Sequence, residues 1–350
     1  MANSSDVGLD MGPILMSDRE REISNIMFFA VIIHLISILG TVANVINIIV
    51  FIKQGFQDTV NISFLALSIS DLGSLVTMVA EGITVIVALV WPDVPMNKDD
   101  VCYLIGALPH ATFVRVSWLI TSFITFERCL CVSMPLKVKQ IITGTRTVVA
   151  MVCIYVIVFL GMSPFFIGNQ LSSQFNPQTN TSRIVRVSID NVFFTDNIGH
   201  NFSVAAQFGS IIFSLVSTAV IVRQMEVKWK WRMESTTGAQ SEKLSVRDKK
   251  LVKMVLTILY VYIACLIPSC LTFILEIVYQ ERFSFMGPNY NVYLCVVSVI
   301  ITFEVAHSTV NIFIYYYMSA KYNATFKQLF FKSNEKLKML DYYMVCFSFY

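Results

Sequence analysis

The sequence predicts an all-α membrane protein, a bundle of seven transmembrane helices followed by a short amphipathic eighth helix on the inner leaflet. Three observations predict it. Hydrophobic residues make up 55% of the 350 and charged residues only 14%, against roughly 45–50% and about 25% in soluble domains, so the apolar surplus must face lipid. Seven stretches are long enough to cross a hydrocarbon core ~30 Å thick, which takes about 20 apolar residues as helix. Of the 26 Lys and Arg, 18 fall on the side holding the C-terminus, 6 on the side holding the N-terminus and 2 inside spans. By the positive-inside bias the N-terminus is expected outside.

Residues 1–23 read as an extracellular N-terminus. They carry Arg19 and Arg21 but no apolar core, so no cleavable signal peptide is expected and the first span would direct insertion. The bundle occupies 24–318, with spans at 24–53, 61–91, 101–133, 147–168, 201–223, 251–279 and 289–318. Between them stand Lys53-Gln54-Gly55, Trp91-Pro92-Asp93, Pro135 to Thr145, a long loop from Asn169 to His200, Gln224 to Lys250, and Arg282 to Pro288. Beyond the last span, Tyr322, Phe326, Leu329 and Phe330 recur at near-helical steps with lysines between them, which predicts an amphipathic helix over 319–340. Residues 341–350 form a cytoplasmic tail. The stretch from Val227 to Lys253 is basic and carries Trp229 and Trp231, as a lipid contact or as a solvated loop. Asn3 and Asn180 open glycosylation triplets on the outer side. Asn201 opens another but reads as a helix start, and Asn61 and Asn323 face the cytosol.

Polar residues inside the spans mark the candidate machinery. Asn44, Asp71 and Ser117 occupy the first three spans, and Ser308, Asn311 and Tyr315 follow at helical steps of three and four in the seventh. A carboxylate in lipid must find partners or stay protonated. Thr125-Phe126-Glu127-Arg128-Cys129 ends the third span with an acid and a base side by side, and intramembrane ionisable groups are functional candidates by default.

On these residues the chain resembles the rhodopsin-like (class A) G-protein-coupled receptors over nearly its whole length. Asn44 follows Gly40 and Ala43 as in the first-span signature, and NISFLALSISDL, from Asn61 to Leu72, is similar to the second-span pattern. Glu127-Arg128-Cys129 with Pro135-Leu136 resembles the Asp/Glu-Arg-Tyr motif. Cys265-Leu266-Ile267-Pro268 resembles Cys-Trp-x-Pro, and Asn311-Ile312-Phe313-Ile314-Tyr315 resembles Asn-Pro-x-x-Tyr.

The resemblance implies a plasma-membrane receptor whose partners are an extracellular ligand, a heterotrimeric G protein and membrane lipid, with no enzyme activity and no nucleic-acid partner. Glu127, Arg128, Asp248, Asn311 and Tyr315 are the implied G-protein switch. Asp248 is either a partner that latches Arg128 across the cytoplasmic face or a solvated acid at a helix start. Asn44, Asp71, Ser117, Ser308 and Asn311 match a polar pocket that holds a sodium ion in many members, so Asp71 is a candidate sodium ligand, a water-filled network being the alternative. No other cofactor is implied. Glu81, His110, Arg115 and Glu304 fall in the outer half of the bundle, as a polar site for a charged ligand or as internal ion pairs.

The departures from the pattern matter too. Cys129 replaces a Tyr, Leu266 a Trp and Ile312 a Pro, so the seventh helix lacks one cause of its usual kink. His110 stands where aminergic members keep an Asp. The usual disulfide joins the third span to the second outer loop, yet residues 169–200 contain no Cys, so Cys102 is expected to be a free thiol or, less in keeping with the pattern, bridged to Cys295. The remaining cysteines read as packing residues, with Cys346 a palmitoylation candidate. The divergence resembles invertebrate peptide-type or chemosensory members, and the expected ligand is a peptide or a small polar chemical cue. A transporter or channel of seven-helix type is the alternative, but it would often show repeated halves, and none appears. A retinal-based receptor needs a Lys in 289–318, which has none.

Overall fold

A computed structural model describes residues 15–135, 137–177, 180–189, 191–234, 239–278 and 289–331. Asn3, Leu136, Cys346, and the side chains of Trp229, Trp231 and Asp248 lie outside the described residues. Seven helices are long and apolar enough to cross a membrane: Asp18–Gln54, Thr59–Val90, Lys98–Ser133, Gly144–Gly168, Val192–Val227, Val252–Leu275 and Tyr290–Met318. The first four begin where the sequence supplies oxygen caps for the orphan N–H groups of the first turn. Ser17 forms a reciprocal capping box with Glu20, Asp58 caps Val60, Asn97 caps Asp99 and Asp100, and Thr143 caps Arg146. Gly55 closes the first span at φ 79°, a left-handed conformation that suits a residue without a Cβ.

The bundle packs first span on second, second on third, third on fifth, fourth on fifth, sixth on seventh, and seventh back on first. Of the third span's most apolar window 61% is buried, against 17–33% in the other six. The third helix is therefore the axis of the bundle, and its polar residues can meet partners on several sides. The main apolar cluster joins Val50, Phe51, Phe64, Leu67, Ile120, Ile124, Ile258, Tyr315 and Tyr322. On the perimeter, Leu39 and Leu160 are each 67% exposed, as suits side chains whose solvent is lipid rather than water. The helix Ala320–Phe330 turns Tyr322 into this core and packs Phe326 against it.

Several boundaries differ from the sequence reading. The first span starts at Asp18 rather than 24, and two of its turns, Ile26–Ile33, are π-helical. The stretch from Asn169 to His200 is not an open loop. It forms an antiparallel hairpin, β1 (Asn169–Asn176) on β2 (Thr181–Ser188), and then the start of the fifth helix at Val192. Asn201 accordingly lies inside that helix rather than at its start. Asn180 sits exposed at the hairpin turn with φ 51°, a conformation Asn tolerates better than most residues. The seventh span is one uninterrupted α-helix through Ile312.

The hairpin is fastened to the start of the third span by main-chain hydrogen bonds. Asn97 N–H donates to Ile184 O at 2.8 Å and Ile184 N–H donates to Pro95 O at 2.9 Å. Arg186 N–H donates to Asp100 Oδ2 at 3.1 Å. Cys102 is a buried free thiol, and Cys295 Sγ lies 3.3 Å from Ser24 Oγ, so a Cys102–Cys295 bridge is not formed.

Candidate functional site

Near the end of the bundle that carries the amphipathic helix, Arg128 Nη2 donates to Glu127 Oε1 at 2.9 Å, both residues buried. Thr59, in the first turn of the second span, also donates its hydroxyl to Glu127 Oε1. Glu127 Oε2 and Arg128 Nε have no hydrogen-bond partner among the described residues. The pair is thus only partly satisfied, and a buried group in that state gains from any partner that arrives. Tyr315, grouped with this switch from the sequence, sits elsewhere. Its ring packs among Phe64, Phe51 and Tyr322 with centroids 4.9, 5.1 and 5.6 Å away, and its hydroxyl has no partner among the described residues.

Further along the axis the second, third and seventh spans converge on Asp71, 1% exposed. Asp71 Oδ1 accepts from Ser117 Oγ at 2.8 Å and from Ser308 Oγ at 3.1 Å, and Oδ2 accepts from Asn311 Nδ2 at 2.9 Å. Asn44 reaches this group through the backbone, donating to Ser308 O at 2.8 Å. The sequence-predicted five are therefore brought together, with Asn44 one step removed. A hard cation would find oxygen donors at Asp71, Ser117 and Ser308 and at Asn311 Oδ1, which has no partner among the described residues. The donor set fits.

A polar line that the sequence reading missed continues from Asn44. Asn47 Nδ2 donates to Asn44 Oδ1 at 3.3 Å, and the Tyr322 hydroxyl donates to Asn47 Oδ1 at 2.6 Å. Burial holds the Tyr322 phenol above its ordinary pKa, so the hydroxyl keeps the proton this bond needs.

The four residues expected at a ligand pocket have different surroundings. His110 Nε2 lies 3.1 Å from Glu304 Oε2, and its Nδ1 lies 2.9 Å from Ser74 Oγ, so second, third and seventh spans are tied in the interior. Arg115 reaches toward the fifth span. Its Nε donates to Ser203 Oγ at 2.8 Å, Nη1 donates to Ala111 O at 3.1 Å, and the guanidinium lies 4.9 Å from the Trp118 ring centroid. Of the four, Glu81 lines a cavity of about 340 Å³ at the hairpin end, between first, second, third and seventh spans. Ser74, Ser203 and Thr59 were not singled out in the sequence, because a hydroxyl in a span carries no mark of the helix it will face.

Among the described residues, seven helices long and apolar enough to span a membrane, a buried acid–base pair near one end and a polar core through the middle define a multi-pass membrane protein. The family model described as 7 transmembrane receptor (rhodopsin family) matches residues 43–315, and the chain belongs to that family. No curated protein matches the chain.

Proposed function

We propose that this receptor passes an extracellular signal, carried by a peptide or a small polar chemical cue, to a heterotrimeric G protein. The hairpin end faces outward with the N-terminus, and the amphipathic helix lies on the cytoplasmic leaflet of the plasma membrane. The uneven distribution of Lys and Arg supports that orientation. Asn3 and Asn180 would carry glycans on the outer face.

The observation that carries the reading is the buried Arg128–Glu127 pair at 2.9 Å. A guanidinium held by its neighbour and by nothing across the helix interface among the described residues is a two-position element. In the resting state it is folded onto Glu127 and latched by Asp248 across the cytoplasmic face, and in the active state it is released. Ligand shifts the balance by binding the active state more tightly. Asp71 and its three donors form the hinge between the two ends, and a sodium ion on Asp71, Ser117, Ser308 and Asn311 would favour the resting arrangement.

Two variants test this in cells that carry reporters for several G-protein classes. Glu127→Gln weakens the hold on Arg128 and should raise ligand-independent signalling. Arg128→Ala should abolish it. Wild-type signalling from both, at matched surface expression, would refute the switch.

A further inference from the structure

We propose that the cavity at the hairpin end receives a ligand bearing a cationic amine or guanidine, with the Glu81 carboxylate as its counter-ion. The proposal rests on the receptor reading above and assigns the chemical class of ligand.

Glu81 lies in the second span at 5% exposure and forms part of the cavity wall. Its Oε2 has no hydrogen-bond partner among the described residues. Burying a carboxylate without partners costs several kcal/mol in a protein interior, and a cation placed beside it removes that cost. The carboxylate is also pinned. The third span passes it in a π-helical turn, Tyr103–Ala107, and a Cβ on Gly106 would lie 2.2 Å from Glu81 Oε2. Only a glycine backbone fits there, so the acid is held against the third helix on the cavity wall.

The charges around the mouth point the same way. Lys98 pairs with Glu22 at 3.3 Å, and Arg186 pairs with Asp100 at 3.8 Å. Both bases on the lining are therefore matched, while Glu81 and Asp99 remain as acids on the same lining. An anionic ligand would have to break one of those pairs. A cationic one finds the field already arranged for it. Glu304, the other acid of this half of the bundle, is occupied by His110 and does not compete.

The walls suit the rest of such a ligand. Phe29, Tyr103, Tyr293, Leu294 and Val297 line the cavity, and aromatic faces attract cations. Tyr103 already does so, with the Arg186 guanidinium 4.9 Å from its ring centroid. A volume of about 340 Å³ is at the small end of the range for ligand pockets. It holds a small amine or the basic end of a peptide, an N-terminus, Lys or Arg.

The test places a reporter thiol in the cavity, Leu294→Cys in a Cys102→Ser background, and compares two methanethiosulfonate reagents of similar size. One carries an aminoethyl cation and the other a sulfonatoethyl anion. The cation-to-anion rate ratio should exceed that of a free thiol by about tenfold or more, as expected for a cleft that concentrates one sign of charge. Glu81→Gln should return the ratio to the free-thiol value, and Glu81→Asp should retain most of it. Surface expression read by flow cytometry checks that each variant is folded. An unchanged ratio in Glu81→Gln overturns the proposal. G-protein reporters followed during labelling separate the two readings. Charge selection without any signalling response leaves the counter-ion intact but refutes this cavity as the agonist site, whereas a signalling response without charge selection does the reverse.

Discussion

Replacing His110 by Phe should destabilise the receptor chiefly through the carboxylate it leaves behind. Glu304 is 8% exposed and its partner is His110 Nε2 at 3.1 Å. Removing one member of a buried pair costs about 3–5 kcal/mol, whereas replacing both by apolar side chains of similar volume is often neutral or stabilising. A second loss must be kept separate. Ser74 Oγ sits 2.9 Å from His110 Nδ1 and would be orphaned too, at about 1–3 kcal/mol, so the cycle belongs in a Ser74→Ala background. In that background His110→Phe and Glu304→Leu are made singly and together. Cys102 and Cys129 are buried free thiols, so a thiol-reactive dye reports unfolding of purified receptor on heating. At about 2 °C per kcal/mol for a large domain, His110→Phe should lower the apparent midpoint by about 6–10 °C. The double variant should recover most of that. A coupling energy below about 0.5 kcal/mol, the level at which independent sites simply add, would refute the claim that the pair acts as a unit.

Other variants probe separate parts of the bundle. Asp71→Asn should abolish any rise in midpoint that sodium produces over potassium in the wild type, because the hard-cation donor set loses its charge; an equal sodium effect in both proteins would exclude the site. Gly106→Ala should cost about 1–3 kcal/mol as an overpacked contact, since the new Cβ would meet Glu81 Oε2 at 2.2 Å and Glu81 Cβ at 2.5 Å; Glu81→Ala, which keeps that Cβ, should recover only part of the loss in a double variant measured by the same melt. Tyr322→Phe removes the 2.6 Å bond to Asn47 and should cost about 0.5–1.5 kcal/mol, whereas Tyr317→Phe, on an exposed ring, should cost nothing measurable. Cys102→Ser should reach the cell surface as well as the wild type, with flow cytometry as the readout.

The sequence made the seven spans and the Asp71 group legible for a simple reason. Apolar length and helical spacing are properties of one helix, and Ser308, Asn311 and Tyr315 display their common face without reference to a neighbour. Pairing across helices is different. It depends on how each helix is rotated and crossed, which no single periodicity contains. Ser74 beneath His110, Thr59 on Glu127 and Asn47 under Tyr322 were therefore invisible, as was Ser203 on Arg115, whose other bond goes to the backbone carbonyl of Ala111. The hairpin had a readable signal in Ile184-Val185-Arg186-Val187, rich in β-branched residues. It was missed because its strands, mostly exposed, lack the strict apolar alternation of a half-buried strand.

The three backbone and side-chain bonds that join Pro95, Asn97 and Asp100 to β2 also bear on how the mouth of the cavity is assembled. A disulfide at this place would make closure an oxidation step, timed by the redox machinery of the secretory pathway. Here closure needs only that the hairpin and the third helix meet. The mouth can zip during folding itself, reopen by local fraying, and zip again without help. A reductant has no bond to cut among these contacts.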